Sequence, residues 1–308
     1  MAAVNAVIRD RLNSEVVLIR TIGDYIIGAG GKRLRPALVL LMAKNLGYEG
    51  DKAPVMAAVV EFIHTATLLH DDVVDDSDLR RGKSTANAVF GNPASVLVGD
   101  YLYSRAFEMM VEVNSMEIMR VMAEATTVIS EGEVLQLLNV NDPDVTEERY
   151  LQVVRFKTAK LFEAAAIAGA ILANATHKQQ EAAGAYGRHL GTAFQLIDDL
   201  LDYSGNAETL GKTVGDDLRE GKPTLPLLRV LDVGTEEQKQ LIRHAIESGE
   251  GDFFAVADAI QGTDALAHTR KAAEAEIKLA IEALADLPDN EIRSVLTKVA
   301  GLSLNRDS

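Results

Sequence analysis

The chain has 308 residues, 47% of them hydrophobic and few of them aromatic, enough to bury a core rich in Ala, Leu and Val in one large domain or two smaller ones. A formal charge of −15 argues against nucleic acid as a partner, because phosphate backbones are bound mainly through an excess of Lys and Arg. The absence of cysteine excludes disulfides, thiolate metal sites and thiol nucleophiles.

Near the start, Arg9, Asp10 and Arg11 stand where a secretory leader would carry its apolar core, so export is not signalled and a cytoplasmic setting is expected. Apolar residues then recur at helical spacing over Leu34 to Leu46, Ala57 to Val74, Val96 to Val111, Ile118 to Leu138, Leu151 to Ala173, Ala182 to Tyr203 and Ala272 to Leu284. Breaks fall where helices should end, at Gly28 to Gly31, Gly47 to Asp51, Gly91 to Pro93, Asn141 to Pro143, Gly205 to Asn206, Gly221 to Pro223 and Gly249 to Asp252. The longest apolar run, Ala164 to Ala173, stops at Asn174, well short of the ~18 to 20 residues that span a bilayer. An all-α, single-domain helical bundle covering 1–308 is expected, without a transmembrane helix.

One pattern repeats. Asp71-Asp72-Val73-Val74-Asp75 and Asp198-Asp199-Leu200-Leu201-Asp202 lie in matched apolar helical contexts. Positions i, i+1 and i+4 of a helix fall within an arc of ~100°, so each cluster projects its acids from one face. No Lys or Arg stands among these acids to neutralise them, so cations must come from elsewhere. The echo predicts two helices facing each other across a cavity, as metal sites in bundles require. A single such cluster reads as a solvated charged face; two in matched surroundings point to Mg²⁺.

Cations cluster beside the acids. Lys32, Arg33 and Arg35 adjoin the turn Gly30-Gly31, Arg80-Arg81-Gly82-Lys83 follows the first acidic cluster, Lys157-Thr158 lies within a helix, and Lys212 and Lys222 bracket a glycine-containing loop. Acids for Mg²⁺ and cations for phosphate together describe a diphosphate site, since Mg²⁺ bridges one or two carboxylates to phosphate oxygens. Taken singly, His64 reads equally as an interior histidine, Lys32 and Arg35 as surface charges, and Arg80-Arg81 as neutralisers of the nearby acids.

In family order the chain carries GGKRLRP, EFIHTATLLHDDVVDDSDLRRGKSTAN, LVGDYLYSRAF, EGEVLQL, KTAKLFEAA, GTAFQLIDDLLDY and GKTVGDDLREGKPTLPL, spread over most of Gly28 to Leu228. In these stretches it resembles the trans-isoprenyl diphosphate synthases, the polyprenyl synthetase family, and within it the bacterial octaprenyl-forming members. The resemblance implies the isoprenoid synthase type of helical bundle and a Mg²⁺-dependent prenyltransferase. An allylic diphosphate, farnesyl diphosphate above all, ionises; isopentenyl diphosphate attacks through its double bond; a proton is lost, with the departing diphosphate as its acceptor.

Site roles follow from the same resemblance. Asp71, Asp75, Asp198 and Asp202 would contact metal, with Asp72 and Asp199 as further catalytic acids on the same site. Arg80, Lys157, Thr158, Gln195, Lys212 and Lys222 would hold the allylic diphosphate, Lys157 and Lys212 taking part in catalysis. Lys32, Arg35, His64 and Arg81 would hold isopentenyl diphosphate. Gln195 shares a helix face with its cluster, and His64 precedes Asp71 by two turns, about 20° off in phase. Where shorter-chain relatives place a bulky aromatic before the first cluster, this chain has Ala66 and Thr67. The product tunnel would therefore run deeper, with Phe107, Met109 or Met110 as floor and a product of about eight isoprene units serving quinone side chains. A homodimer is implied, and transient contact with a membrane surface on release of a nearly insoluble product.

Other readings remain. A shorter- or longer-chain synthase, geranylgeranyl to solanesyl, differs only in tunnel depth. A terpene cyclase or head-to-head synthase is disfavoured by the complete second DDxxD and the second diphosphate set. A non-catalytic subunit would lack aspartates that are intact here. The acidic stretch from Gly234 to Asp252 carries little readable chemistry.

Overall fold

The computed structural model describes residues 1–28, 30–80, 82–204, 215–249 and 251–305. Among them every element is helical except one antiparallel pair of two-residue strands, as the periodicity predicts. In chain order these are α1 (Ala2–Arg11), α2 (Val17–Gly28), α3 (Leu34–Asn45), α4 (Ala53–Val74), the strands β1 (Leu79–Arg80) and β2 (Lys83–Ser84), α5 (Ala86–Phe90), α6 (Asn92–Val113) and α7 (Met116–Asn139). There follow α8 (Glu147–Val153), a π-helical turn (Val154–Ala159), α9 (Lys160–Leu172), α10 (His177–Ser204), α11 (Asp216–Arg219), α12 (Leu225–Val233), α13 (Glu236–Ser248), α14 (Phe253–Gln261), α15 (Ala265–Ala283) and α16 (Glu291–Leu304). The hairpin β1-β2 and the π turn were not expected; both are too short to leave a periodic signal, and both sit at cation motifs.

The chain forms two compact units, each assembled from separated segments. One comprises Met1–Glu124, Ala164–Gly184 and Asp286–Arg293; the other comprises Ala125–Glu163, Ala185–Ala285 and Ser294–Ser308. In the first, α4 and α6 make the most extensive helix pairing, and α3 and α1 also pack on α4. Proline in the opening turn starts both α4 and α6, where the missing N–H would have no helical partner anyway. Asn114 in the left-handed region ends α6. Helix α4 is the one helix among the described residues long and apolar enough to cross a bilayer, but 67% of that apolar window is buried in the fold. It is a core helix.

In the second unit, small residues let α10 approach the chain that carries the Lys157-Thr158 motif. A Cβ on Gly191 would meet Ala159 Cα at 2.7 Å, and one on Gly187 would meet Phe162 and Glu163 backbone atoms within 2.8 Å. The C-terminal helices, silent in the sequence, build a core of Leu227, Val230, Ile242, Ile246, Val256 and Ile260. Into this core plug Tyr203 and Leu218, which directly follow Asp202 and Asp217. The acidic third of the chain thus anchors the second cluster from behind.

Candidate active site

The first cluster occupies the last turn of α4. Asp71 and Asp75 are half-exposed, whereas Asp72, rotated about 100° from Asp71, is wholly buried. The arc that was to present all three acids therefore straddles the boundary between surface and interior. Asp72 Oδ1 accepts from both Nε and Nη2 of Arg80 at 2.7 Å, while its Oδ2 is buried with no hydrogen-bond partner among the described residues. Burial raises the Asp72 pKa, a shift that Arg80 partly offsets; the Arg80 pKa, opposed by burial, is lifted by the same carboxylate. The missing cation of the acidic helix is thus supplied by the hairpin. Its entry is fixed by Asp76 at φ 50° and by Asn87, whose Nδ2 donates to the carbonyls of Asp72 (3.1 Å) and Ser77 (3.3 Å).

The turn before α3 brings the expected isopentenyl diphosphate residues to α4. Arg35 Nη1 lies 3.2 Å from His64 Nε2, and Lys32 is exposed on the adjoining loop. Arg33 does something different. It takes a left-handed backbone at φ 51°, pairs with buried Glu61 and donates to the Ile27 carbonyl at 3.4 Å, so it holds the turn in place. Ala66 is wholly buried and Thr67 half-buried on α4, Thr67 Oγ1 donating to the His64 carbonyl at 2.8 Å. On α6, Met109 and Met110 are buried and Phe107 is half-buried, its ring 5.7 Å from that of Tyr103.

The second cluster repeats the division of labour. Asp198 and Asp202 are half-exposed, and Asp199 is buried, 3% exposed. Asp199 Oδ1 accepts from Gln195 Nε2 at 2.7 Å, Gln195 Oε1 accepts from Thr158 Oγ1 at 2.9 Å, and Tyr150 Oη donates to Asp199 Oδ2. Burial, with Asp217 next in size, pushes the Asp199 pKa up to about 8 against the pull of its Tyr150 and Gln195 hydrogen bonds. Burial and the Asp199 charge hold the Tyr150 phenol well above its ordinary range. Asp202 Oδ2 accepts the Asp217 N–H at 3.3 Å, which ties the loop leading to Lys222 to this cluster. Lys222 Nζ in turn pairs with Glu220.

Lys157 and Thr158 lie in the π-helical turn, an i→i+5 irregularity that recurs at functional sites. Lys157 Nζ pairs with Glu133 at 2.6 Å, and Gly132 lies so close that a Cβ there would meet the Lys157 backbone nitrogen at 2.6 Å. The sequence singled out EGEVLQL without giving it a task; its Gly132 and Glu133 are the seat of this turn. Tyr150, Asn87 and Glu61 were given no role by the sequence: none belongs to a repeated cluster, and only folding brings Tyr150 to Asp199, Asn87 to Asp72 and Glu61 to Arg33. Asp217, which with Asp216 reads in the sequence either as a further metal-site acid or as a solubilising loop residue, gives its backbone N–H to Asp202. Arg81 and Lys212, expected at the isopentenyl and allylic diphosphates respectively, lie outside the described residues.

A model of the polyprenyl synthetase family matches residues 16–261, which include both acidic clusters. The chain belongs to the polyprenyl synthetase family. This polyprenyl synthetase is 57% identical over 309 residues to the octaprenyl diphosphate synthase of Escherichia coli, covering 100% of this chain and 96% of that protein. It is 51% identical to the octaprenyl diphosphate synthase of Haemophilus influenzae, covering 100% and 94%. Among solved structures, the polyprenyl synthase of Caulobacter crescentus complexed with calcium and isoprenyl diphosphate superposes with a TM-score of 0.97 at 46% identity, covering 100% of this chain and 95% of that one. Like these relatives, this polyprenyl synthetase is a prenyltransferase.

The donor set fits a hard divalent cation. Among the described residues no three His, Asp or Glu side chains converge as a closed cage, while each cluster leaves two half-exposed carboxylates one helical turn apart. That is the open, all-oxygen arrangement of an ion that keeps waters and shares a substrate's phosphate oxygens.

Proposed function

We propose that the chain is a long-chain polyprenyl diphosphate synthase of the octaprenyl type. It would condense isopentenyl diphosphate stepwise onto an allylic diphosphate, with farnesyl diphosphate as primer and quinone side chains as the destination. The observation that carries this reading is the division of labour within both DDxxD clusters. In each, the second acid is buried and bound by the protein, and the first and fifth acids stay half-exposed.

Asp71, Asp75, Asp198 and Asp202 would hold Mg²⁺, which when bound adds positive charge to the leaving diphosphate. Lys157, Thr158, Gln195, Arg80, Lys212 and Lys222 would bind and orient the allylic diphosphate. Preplaced cations act most strongly as the allylic C–O bond breaks and negative charge gathers on the departing oxygens. Arg35, His64, Lys32 and Arg81 would hold isopentenyl diphosphate so that its double bond meets the allylic cation, and the departed diphosphate would take up the proton. Each cluster is flanked by buried apolar side chains, Leu69 in one case and Leu196, Ile197 and Leu200 in the other, and such flanks would help to keep water from the cation. Ala66 and Thr67 leave the growing chain room, and Phe107, Met109 and Met110 are proposed as the tunnel floor.

The synthase would be one domain in the cytoplasm and a symmetric homodimer. The segments of the two units alternate along the chain, and the exposed side chains of Leu97 and Val111 lie on one face of α6, about four turns apart. Product release would involve transient membrane contact. The test is incubation with isopentenyl diphosphate, farnesyl diphosphate and Mg²⁺ followed by mass analysis. Octaprenyl diphosphate is expected, and its formation should stop when EDTA removes the metal. A product mix ending at geranylgeranyl diphosphate would overturn the chain length, and no prenyl product at all would overturn the function.

A further inference from the structure

Tyr150 stands outside every motif in the sequence, yet its hydroxyl reaches the one acid of the second cluster that is buried. Helix α8 is short, and it is fixed at its start by Thr146, whose side chain accepts from the Arg149 N–H at 3.2 Å. Arg149 in turn donates to Asn139 Oδ1 at 2.7 Å, so α8 is tied to the end of α7. From this anchored helix Tyr150, 7% exposed, donates to Asp199 Oδ2, while Gln195 Nε2 donates to Oδ1. Both oxygens of Asp199 are therefore held by the protein. Asp198 and Asp202, on the same helix, are the half-exposed acids of the cluster.

We propose that Tyr150 is a positioning residue for the metal-binding face of α10: by clamping Asp199 it sets the rotation of the helix, and so the place where Asp198 and Asp202 present their oxygens. Geometry gives the leverage. A carboxylate near the outer radius of a helix, roughly 6 Å from the axis, moves by about 1 Å when the helix turns by 10°. A misplacement of that size at a reacting centre lowers rate by about 100-fold. Gln195 alone leaves Asp199 a single donor from its own helix, which rotates with it and fixes nothing. Tyr150 and the Thr158 hydroxyl that holds Gln195 come from the α8 and π-turn segment, and they supply the external reference.

This inference rests on the diphosphate synthase reading, and its test separates the two. Tyr150→Phe keeps the ring and removes the donor. Three quantities are compared with wild type: steady-state kinetics, melting temperature, and Mn²⁺ affinity in the presence of inorganic diphosphate, read as free ion by electron paramagnetic resonance. The expected result is weaker Mn²⁺ binding by about tenfold and a kcat reduced by about 10- to 100-fold. KM for isopentenyl diphosphate, whose residues Arg35 and His64 lie in the other unit, should stay unchanged, and the melting temperature should move little. The double variant Tyr150→Phe/Asp199→Ala should be no worse than Asp199→Ala alone, because the alanine leaves the Tyr150 hydroxyl no acceptor and both changes break one link. Wild-type Mn²⁺ affinity in Tyr150→Phe, or losses that multiply in the double variant, would overturn the positioning role. A wild-type enzyme without prenyl-transfer activity would instead overturn the function on which the inference rests.

Discussion

The seat of the π-helical turn can be probed with one methyl group. In Gly132→Ala the new Cβ would stand 2.6 Å from the Lys157 nitrogen, 2.9 Å from Phe156 Cβ and 3.0 Å from the Phe156 carbonyl carbon. These are atoms of the main chain or at its root, with no flexible end to swing away. Ordinary contact begins near 3.4 Å, so the turn must retreat by roughly 0.8 Å, an overpacking strain of about 1–3 kcal/mol. Alanine returns about 0.5–1 kcal/mol through its better helix propensity, which leaves a net loss of up to about 2.5 kcal/mol. The larger consequence is chemical. Lys157 and Thr158 ride on the displaced turn, and a shift approaching 1 Å should lower kcat/KM for the allylic diphosphate by ~30- to 100-fold. Gly169→Ala is the matched control: its Cβ would stand 2.6 Å from the Val39 carbonyl oxygen where α9 crosses α3, in the unit that does not carry Lys157 and Thr158. It should lower the melting temperature by a similar few degrees while the folded enzyme keeps its kcat. Wild-type kinetics in Gly132→Ala, or an equal activity loss in Gly169→Ala, would refute the assignment of Gly132 as the seat of the allylic diphosphate residues.

Three further outcomes are expected. Ala66→Tyr should cap the product at a few isoprene units, read by mass analysis, and a variant that still makes the full-length chain would remove Ala66 from the tunnel wall. Asp199 sits at about 8 when folded and ~3.9 when unfolded, so the stability it lends is whole at low pH and is lost as pH rises through that window, by a few kcal/mol. In EDTA, Asp199→Asn should therefore flatten the fall in urea midpoint between pH 5 and pH 8, and an unchanged slope would contradict the burial assigned to this acid. Glu61→Ala should destabilise the protein by about 3 kcal/mol, because it strands Arg33 in a largely buried position; a urea midpoint within error of wild type would show that the pair is dispensable.

Periodicity alone determined that the chain is helical and where its long helices lie, because a 3.6-residue repeat is a local property that each segment carries by itself. Local spacing also exposed both aspartate clusters and the cations of the GGKRLRP turn, since charge in an apolar helix is conspicuous without any knowledge of the neighbours. What it could not sort was which acids are offered to a ligand. Helical spacing alone treats Asp71 and Asp72 alike; the family resemblance put metal on Asp71 and Asp75, and the packing of Arg80 from the hairpin with the burial of one flank of α4 is the physical reason that Asp72 is held by the protein. Asp199 became a fixed reference rather than a free carboxylate through Tyr150, which lies 49 residues away. Likewise Arg33, one of three adjacent cations in the sequence, was claimed by Glu61 across a turn. Side-chain chemistry is written residue by residue, but exposure, pairing and the rotation of a helix about its axis are properties of contacts between distant segments. Those contacts exist only once the chain has closed on itself.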